Sequence, residues 1–445
     1  MSLQPDPKLE QDSYRAQLCG DAAVSLASGR RPGGSEQHPT AFNDEQHHLG
    51  AAVRGLWHYD KVLHEAQKRA DLECGRIAWL NELGDFLSTQ NRYEEAVEIF
   101  SQSIAIAPQQ ENIWIKIGGA LERLRRFLKA EQSYQAAIHL VPLSPDPYYR
   151  LSTLYTQQNM QLKAVRAYCA GYVLAPRKKT TPEILGKAYY VLGRIDEAAE
   201  VYKIWKEREP QNPIPEHLYA ACLSSTHKQK IPDKCSENYI RTTFDEYAGS
   251  FEKKLTELNY QGPKLVDRML SEHLAAKTRL DVLDAGCGTG LCAPVLRPYA
   301  RSLIGLDLSA SMLGIANKKN IYDGLRNSDI EKYLDEVGGP IKGCGSFDLI
   351  VCIDTLIYFA SLGSLFKKFS DSLRIGGSLI FTVELCSQEI DDYKLNPSGR
   401  YSHSEAYVLM AMGDCGLSCD SIRHETLRTE LEVAVSGLIV MGTRR

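Results

Sequence analysis

The apolar positions in the first half of the chain fall into columns that repeat every 34 residues. Pro108, Pro142, Pro176 and Pro210 form one column, and Ala96, Ala130, Ala164 and Ala198 a second. Phe100, Tyr134, Tyr168 and Tyr202 form a third. Leu83, Ile117, Leu151 and Leu185 keep the same step, as do Gly84, Gly118, Ser152 and Gly186. Each period predicts two amphipathic helices, with small residues where they cross and a proline closing the second. The units run 77–110, 111–144, 145–178 and 179–212. One unit cannot bury its apolar face alone, so the units stack into a solenoid with a concave surface. The last two depart from the pattern. Gln161 stands where Tyr93 and Phe127 supply an aromatic, and Pro182 where Trp114 and Tyr148 do.

After Leu280 the pattern changes to short apolar runs alternating with helical segments: 280–285, 301–307, 347–353 and 376–384. A further short strand is expected before Asp329 and a strand pair at the C-terminal end. That alternation predicts parallel βαβ units. The expected architecture is an α-solenoid followed by an α/β, Rossmann-like domain with a mostly parallel sheet. Residues 1–76 are read as an N-terminal segment with capping helices, broken by a turn-rich stretch at 29–40 (GRRPGGSEQHPT). The repeats occupy 77–212, a capping helix and linker 213–237, and the α/β domain 238–445.

Composition narrows the function classes. The 445 residues are 43% hydrophobic and 24% charged with net charge −4, which fits two globular domains and gives no overall basic field for nucleic acid. No apolar run is long enough to cross a bilayer, and the polar N-terminus lacks a secretory signal. The twelve cysteines are scattered without a CxxC pair, which points to reduced thiols in a cytoplasm, and no residue cluster has metal-ligand spacing.

The chemistry concentrates at the predicted strand ends. LDAGCGTG (283–290) places Asp284 before Gly286, Gly288 and Gly290, where a backbone without side chains can approach a ligand. The spacing is GxGxG rather than the GxGxxG of dinucleotide sites, and the preceding carboxylate suits an ammonium. Both details favour S-adenosylmethionine (SAM). Asp307 ends the second strand, followed by Leu308, and can accept hydrogen bonds from ribose hydroxyls. The alternative role for Asp307 is a helix cap, although Ser309 already supplies one. Met312 is a candidate for the adenine pocket or for plain core, and Asp329 with Ile330 for the adenine edge or for an ordinary N-cap. Ile353 and Asp354 end the fourth strand, at the edge expected to face the transferred methyl.

These strand endings resemble the class I SAM-dependent methyltransferases over about residues 240–445. With the 34-residue pattern, which resembles the tetratricopeptide repeat (TPR), the chain is similar to a bacterial family of methyltransferases fused to such repeats. The resemblance implies a lid over 238–260, with Tyr239, Phe244, Tyr247 and Phe251 closing over SAM and its substrate. The segment SGRYSHS (398–404) is read as a loop overhanging the site. Arg400 is then a candidate grip for a carboxylate or phosphate, Tyr401 for stacking or donation, and His403 for removing the acceptor's proton. The competing reading has Arg400 pinning the loop to Glu384 or Asp354. Arg428 and Glu430 are read either as a structural ion pair or as a second clamp.

The function expected is methyl transfer to a small-molecule or carrier- or peptide-bound acceptor, with the repeats docking a protein or peptide or pairing subunits. The alternative is a protein methyltransferase whose repeats select its substrate. No NPPY-type tetrapeptide of nucleic-acid amino methyltransferases follows the fourth strand, and neither nucleic acid nor membrane is an expected partner.

Overall fold

The computed structural model describes residues 73–176, 180–226, 232–274, 279–337, 345–386 and 392–445. The expected helices before residue 73 lie outside these residues. The chain divides into two compact units, Met1–Leu174 and Ala175–Arg445.

Among its described residues the first unit holds three helix pairs: α1 (Glu73–Thr89) with α2 (Tyr93–Ile106), α3 (Glu111–Arg123) with α4 (Phe127–Leu140), and α5 (Asp146–Gln157) with α6 (Gln161–Leu174). These are the first three repeats. The glycine column explains the aromatic column. A Cβ at Gly84 would overlap the Phe100 ring, and one at Gly118 the Tyr134 ring, and both rings are fully buried. In the third repeat Ser152 stands at the glycine position, and Tyr168 lies 40% exposed, stacked on Tyr172 and tilted against Tyr149. One substitution in the crossing column thus accompanies the displacement of the ring it would have met. A further column at the same period was not legible in apolar spacing. Asn91, Arg125 and Asn159 have φ near +58°, with Gly193 at +76°, each in the tight turn between two helices of a repeat.

The second unit begins with the fourth repeat, α7 (Pro182–Val191) and α8 (Ile195–Arg208), followed by α9 (Pro213–Thr226). Pro182 sits at the first turn of α7, where its missing N–H costs nothing, and Thr181 caps the helix by accepting from Ile184 N. Then come α10 (Glu237–Tyr247), α11 (Phe251–Glu257) and α12 (Gly262–His273). The α/β layers follow as β1 (Leu280–Ala285), α13 (Ala293–Leu296), β2 (Ala300–Asp307), α14 (Ala310–Lys318), β3 (Gly324–Asn327), α15 (Ile330–Val337), β4 (Phe347–Cys352), α16 (Gly363–Ser372) and β5 (Leu373–Leu385). The chain ends with β6 (Tyr393–Leu395), β7 (Tyr401–His403), α17 (Glu405–Asp414), β8 (Leu417–Glu430) and β9 (Val433–Arg444).

The strands form one sheet in the order β3-β2-β1-β4-β5-β7-β6, with β9 antiparallel to β5 and to β8. The pairs β1–β2, β2–β3, β1–β4 and β4–β5 are parallel, so their carboxyl ends share one edge. Side chains alternate between the two faces. Leu283, Ile350 and Phe381 pack with Phe366 and Phe369 on one face, while Val282, Leu349 and Ile380 pack with Val266, Met269 and Leu270 on the other. Both faces are therefore covered by helices, as near-continuous apolar strands require.

The segment 398–404 departs from expectation. It is not a free loop: residues 401–403 form β7, paired with the end of β5 and antiparallel to β6. All three β7 residues are buried.

Candidate active site

Parallel strands leave their last residues at one edge, and here those residues are acidic. Asp284 is in β1, Asp307 ends β2, Asp329 follows β3, and Asp354 follows β4. All four line a single cavity of about 440 Å3 within the second unit, a size in the range of small-molecule sites. Gly286, Gly288, Leu308, Met312, Ile330, Ile353 and Tyr247 line it too. Gly290 does not; its φ of +80° serves the turn, and an added Cβ would press on the Tyr322 ring.

The glycine turn is a cradle. Gly286 has φ +77°, and a Cβ there would overlap Thr355. A Cβ at Gly288 would meet nothing closer than the Phe251 ring at 3.8 Å, so the backbone there faces open space. Asp307 ties the turn to the next strand, accepting from Gly288 N and from Ser309 N, both at 2.8 Å. Ser309 separately caps α14 by accepting from Met312 N, so Asp307 is not that cap. Asp329 does act as an N-cap, accepting from Lys332 N at 3.1 Å, while its carboxylate still faces the cavity beside Lys234 at 3.5 Å.

Electrostatics set Asp284 apart. Burial pushes its carboxyl up to about 7, against the Tyr322 hydroxyl that donates to it at 2.6 Å and with the Asp307 charge adding to the rise. Burial raises Asp307 as well, with its backbone N–H donors holding part of that rise back. A buried carboxylate with no cation beside it among the described residues is poised to receive one. The residues present therefore fit a ligand with an ammonium at Asp284 and polar hydroxyls near Asp307.

The lid expected at 238–260 is α10 and α11, and Tyr239, Phe244, Tyr247 and Phe251 all line the cavity. It is fastened to both ends of α14. Asp245 accepts from Ser309 Oγ at 2.5 Å and Ser311 N at 3.1 Å, placing a negative charge at the start of α14, and Glu252 binds Lys319 at 2.7 Å. The fourth repeat supplies another wall: Glu183 and Lys187 of α7 and Ile214 and Leu218 of α9. Tyr247 Oη donates to Glu183 at 3.2 Å, and Lys187 Nζ donates to Tyr247 Oη at 3.3 Å.

Of the three residues expected to handle the acceptor, only Arg400 reaches the cavity. Its Nη2 donates to Glu430 at 2.6 Å, and its Nε lies 2.9 Å from Glu384 without hydrogen-bond geometry. This is the pinning role, with Glu430 as an additional partner. Tyr401 is fully buried and donates to Pro232 O at 2.8 Å. His403 is also fully buried, with Nε2 2.9 Å from Phe359 O and 3.1 Å from Ala360 O, and its ring stacks on Tyr407. Burial drives its pKa down to about 4 although the two carbonyls favour the charged ring. Neither side chain lines the cavity, so the reading of His403 as proton acceptor and Tyr401 as an acceptor contact is corrected: pairing in β7 buries both. Arg428, only 3% exposed, binds Asp354 at 3.1 Å, Glu430 at 2.7 Å and Glu384, and thus anchors the far end of the cavity.

Residues 255–409 match the family model described as a methyltransferase domain. The second unit contains a methyltransferase domain. Residues 80–110, the first repeat, match the tetratricopeptide repeat model. The chain is 28% identical over 156 residues to a Saccharomyces cerevisiae protein named "Probable S-adenosylmethionine-dependent methyltransferase CRG1", covering 34% of this chain and 51% of that one. It is 27% identical over 187 residues to the malonyl-[acyl-carrier protein] O-methyltransferase of Legionella pneumophila, covering 40% and 62%. The matches thus span about half to three fifths of these curated relatives, which come from a yeast as well as a bacterium. Among solved structures, the magnesium protoporphyrin IX methyltransferase of Synechocystis with bound S-adenosylhomocysteine aligns at 18% identity and TM-score 0.34, covering 46% of this chain and 99% of that one.

Sequence reasoning about the methyltransferase domain missed Tyr260, Tyr322, Tyr358, Thr355 and Asp245. Their positions carry no motif. Tyr322 and Thr355 become relevant only because β1 lies between β2 and β4 in the sheet.

Proposed function

We propose that this chain is a SAM-dependent methyltransferase acting on an oxygen acceptor that is a small molecule or is presented on a carrier. The observation that carries the reading is the run of carboxylates at successive strand ends around one lidded cavity, with a bare glycine cradle beside it. In this reading Asp284 holds the ammonium of SAM, Asp307 its ribose hydroxyls, and Asp329 and Ile330 its adenine, with Leu308 and Met312 packed alongside. When bound, SAM supplies an electrophilic methyl group on a sulfonium. The protein aligns the acceptor with it and excludes water. The aromatic lid favours a compact acceptor over an open protein chain, and the O-methyltransferase relative supports oxygen as the acceptor atom. The first three repeats are assigned to docking a protein or peptide, or a second copy of the chain. No helix among the described residues is long and apolar enough to cross a membrane. The described cysteines are free thiols, which supports a reducing, cytoplasmic setting.

Calorimetry on wild type and Asp307→Ala tests the cofactor site. The expected result is wild-type SAM binding and none measurable in a folded variant. Equal affinities would reduce Asp307 to a turn-holding residue and remove the basis of the assignment.

A further inference from the structure

We propose that Asp354, Tyr260 and Tyr358 form the acceptor-holding group of the cavity and that they take a phenolic hydroxyl. The proposal rests on the methyltransferase reading above and names the acceptor side of the same site.

Asp354 is built to present its carboxylate. Its φ of +54° is a left-handed conformation that non-glycine residues adopt at a cost, and such strain concentrates where function requires a fixed direction. Two contacts hold it. Its N–H donates to Thr382 Oγ1 at 2.8 Å, and its Oδ1 accepts from Arg428 at 3.1 Å. Oδ2 receives no hydrogen bond from the described residues, and the residue lines the cavity. Because β4 lies on the opposite side of β1 from β2, Asp354 and Asp307 flank Asp284. A ligand held at Asp284 and Asp307 therefore leaves Asp354 for a second molecule.

Tyr260 and Tyr358 complete the group. Both line the cavity, and neither hydroxyl hydrogen-bonds to a described residue. In contrast, Tyr322, Tyr401 and Tyr407 each donate to or accept from a partner. Burial and the nearby Asp354 charge raise both phenols and keep them protonated, so each remains a donor. Two unpaired donors beside one half-free carboxylate match a hydroxyl: it gives its proton to Asp354 and accepts from a tyrosine. An acidic hydroxyl suits a carboxylate proton acceptor better than an aliphatic alcohol does. The wall beside it is aromatic. Phe244 stands edge-on to Phe251 at 6.0 Å and to Tyr358 at 5.7 Å, surfaces on which an aryl ring packs.

In the step itself, the phenol O–H donates to Asp354 Oδ2. An oxygen lone pair forms the new O–C bond to the methyl carbon while the C–S bond of the sulfonium breaks, its electron pair passing to sulfur. The phenol proton moves to Asp354 and then to solvent, leaving an aryl methyl ether and a neutral thioether.

The full chain saturated with S-adenosylhomocysteine is titrated with 4-nitrophenol, whose ionisation is read by absorbance. We expect saturable binding and an upward shift of the bound probe's ionisation, because the Asp354 carboxylate disfavours a second anion. Asp354→Asn should abolish that shift. Tyr260→Phe and Tyr358→Phe, which keep both rings, should each weaken probe binding by about tenfold while SAM affinity is unchanged. Absence of saturable probe binding overturns the assignment, as does a shift that survives Asp354→Asn. Parallel loss of SAM affinity in the tyrosine variants would move these residues to the cofactor side and also overturn it. Failure of the wild-type chain to bind SAM at all would instead remove the methyltransferase reading beneath it.

Discussion

The acid–base state of Asp284 ties cofactor binding to pH. Its carboxyl is pushed up to about 7 because it is buried with only a phenol to stabilise it. With the folded value above the ordinary carboxylate value, the unliganded fold is destabilised as pH rises toward 7, when an unpaired charge must be carried inside. An ammonium at that position reverses the preference, so SAM binding below pH 7 must expel a proton. Linkage then weakens apparent affinity by about elevenfold at pH 6 and about a hundredfold at pH 5, relative to the ionised plateau. At the upper end the ligand's own α-amino group loses its charge near pH 8, so affinity should peak between about 7 and 8. Calorimetry across pH 5 to 9 reads the curve, and repeating it in two buffers of different ionisation heat counts the protons released. Tyr322→Phe should move the lower limb to higher pH, since it removes the one hydrogen bond that favours the ionised form. Affinity that is flat from pH 5.5 to 7.5, with no proton released, would refute the placement of the ammonium at Asp284.

Two further outcomes follow from burial alone. His403, held neutral with its pKa lowered to about 4, should make the fold lose stability as pH falls from about 6.5 toward 4, by a total of about 3 kcal/mol. Urea denaturation of wild type and His403→Gln at pH 7 and pH 4.5 should show the variant losing less on acidification, and equal losses would contradict the buried-neutral assignment. In the first unit, a Cβ at Gly118 would lie 2.5 Å from the Tyr134 ring. Gly118→Ala should therefore expel that ring, as Tyr168 is in the third repeat, and lower the unit's stability by about 1–3 kcal/mol; an unchanged melting transition would refute the crossing-column explanation.

Much of the α/β domain was legible because strand length, strand-end acidity and glycine turns are local signals. Asp284, Asp307 and Asp354 could be placed along one edge once parallel strands were expected. The repeats were legible for a different reason: a fixed period makes each packing position visible four times. The segment 398–404 was misread because its polar residues, Arg400, Ser402 and His403, suggested solvent. The fold instead gives each of them partners: Ser402 Oγ meets Asn396, His403 Nε2 meets backbone carbonyls, and Arg400 meets two carboxylates. Buried polar groups that find partners within the fold look like surface in a sequence, and only the pairing of β7 with β5 and β6 distinguishes them. The phenols of Tyr260 and Tyr358, which have no hydrogen-bond partner among the described residues, were hidden for the opposite reason, since an aromatic residue without a motif reads as core.

The fourth repeat contributes Glu183 and Lys187 to the cavity and joins them to Tyr247 on the lid. For anyone recombining this chain with others, the natural crossover point is therefore at residues 174/175 and not at the end of the repeat pattern near 212. A chimera joined at the later point would inherit a foreign chamber wall along with its new array. The fourth repeat thus serves both helix stacking and the chamber wall. Its departure from the repeat pattern, Pro182 in place of an aromatic, falls in the helix that carries Glu183 and Lys187.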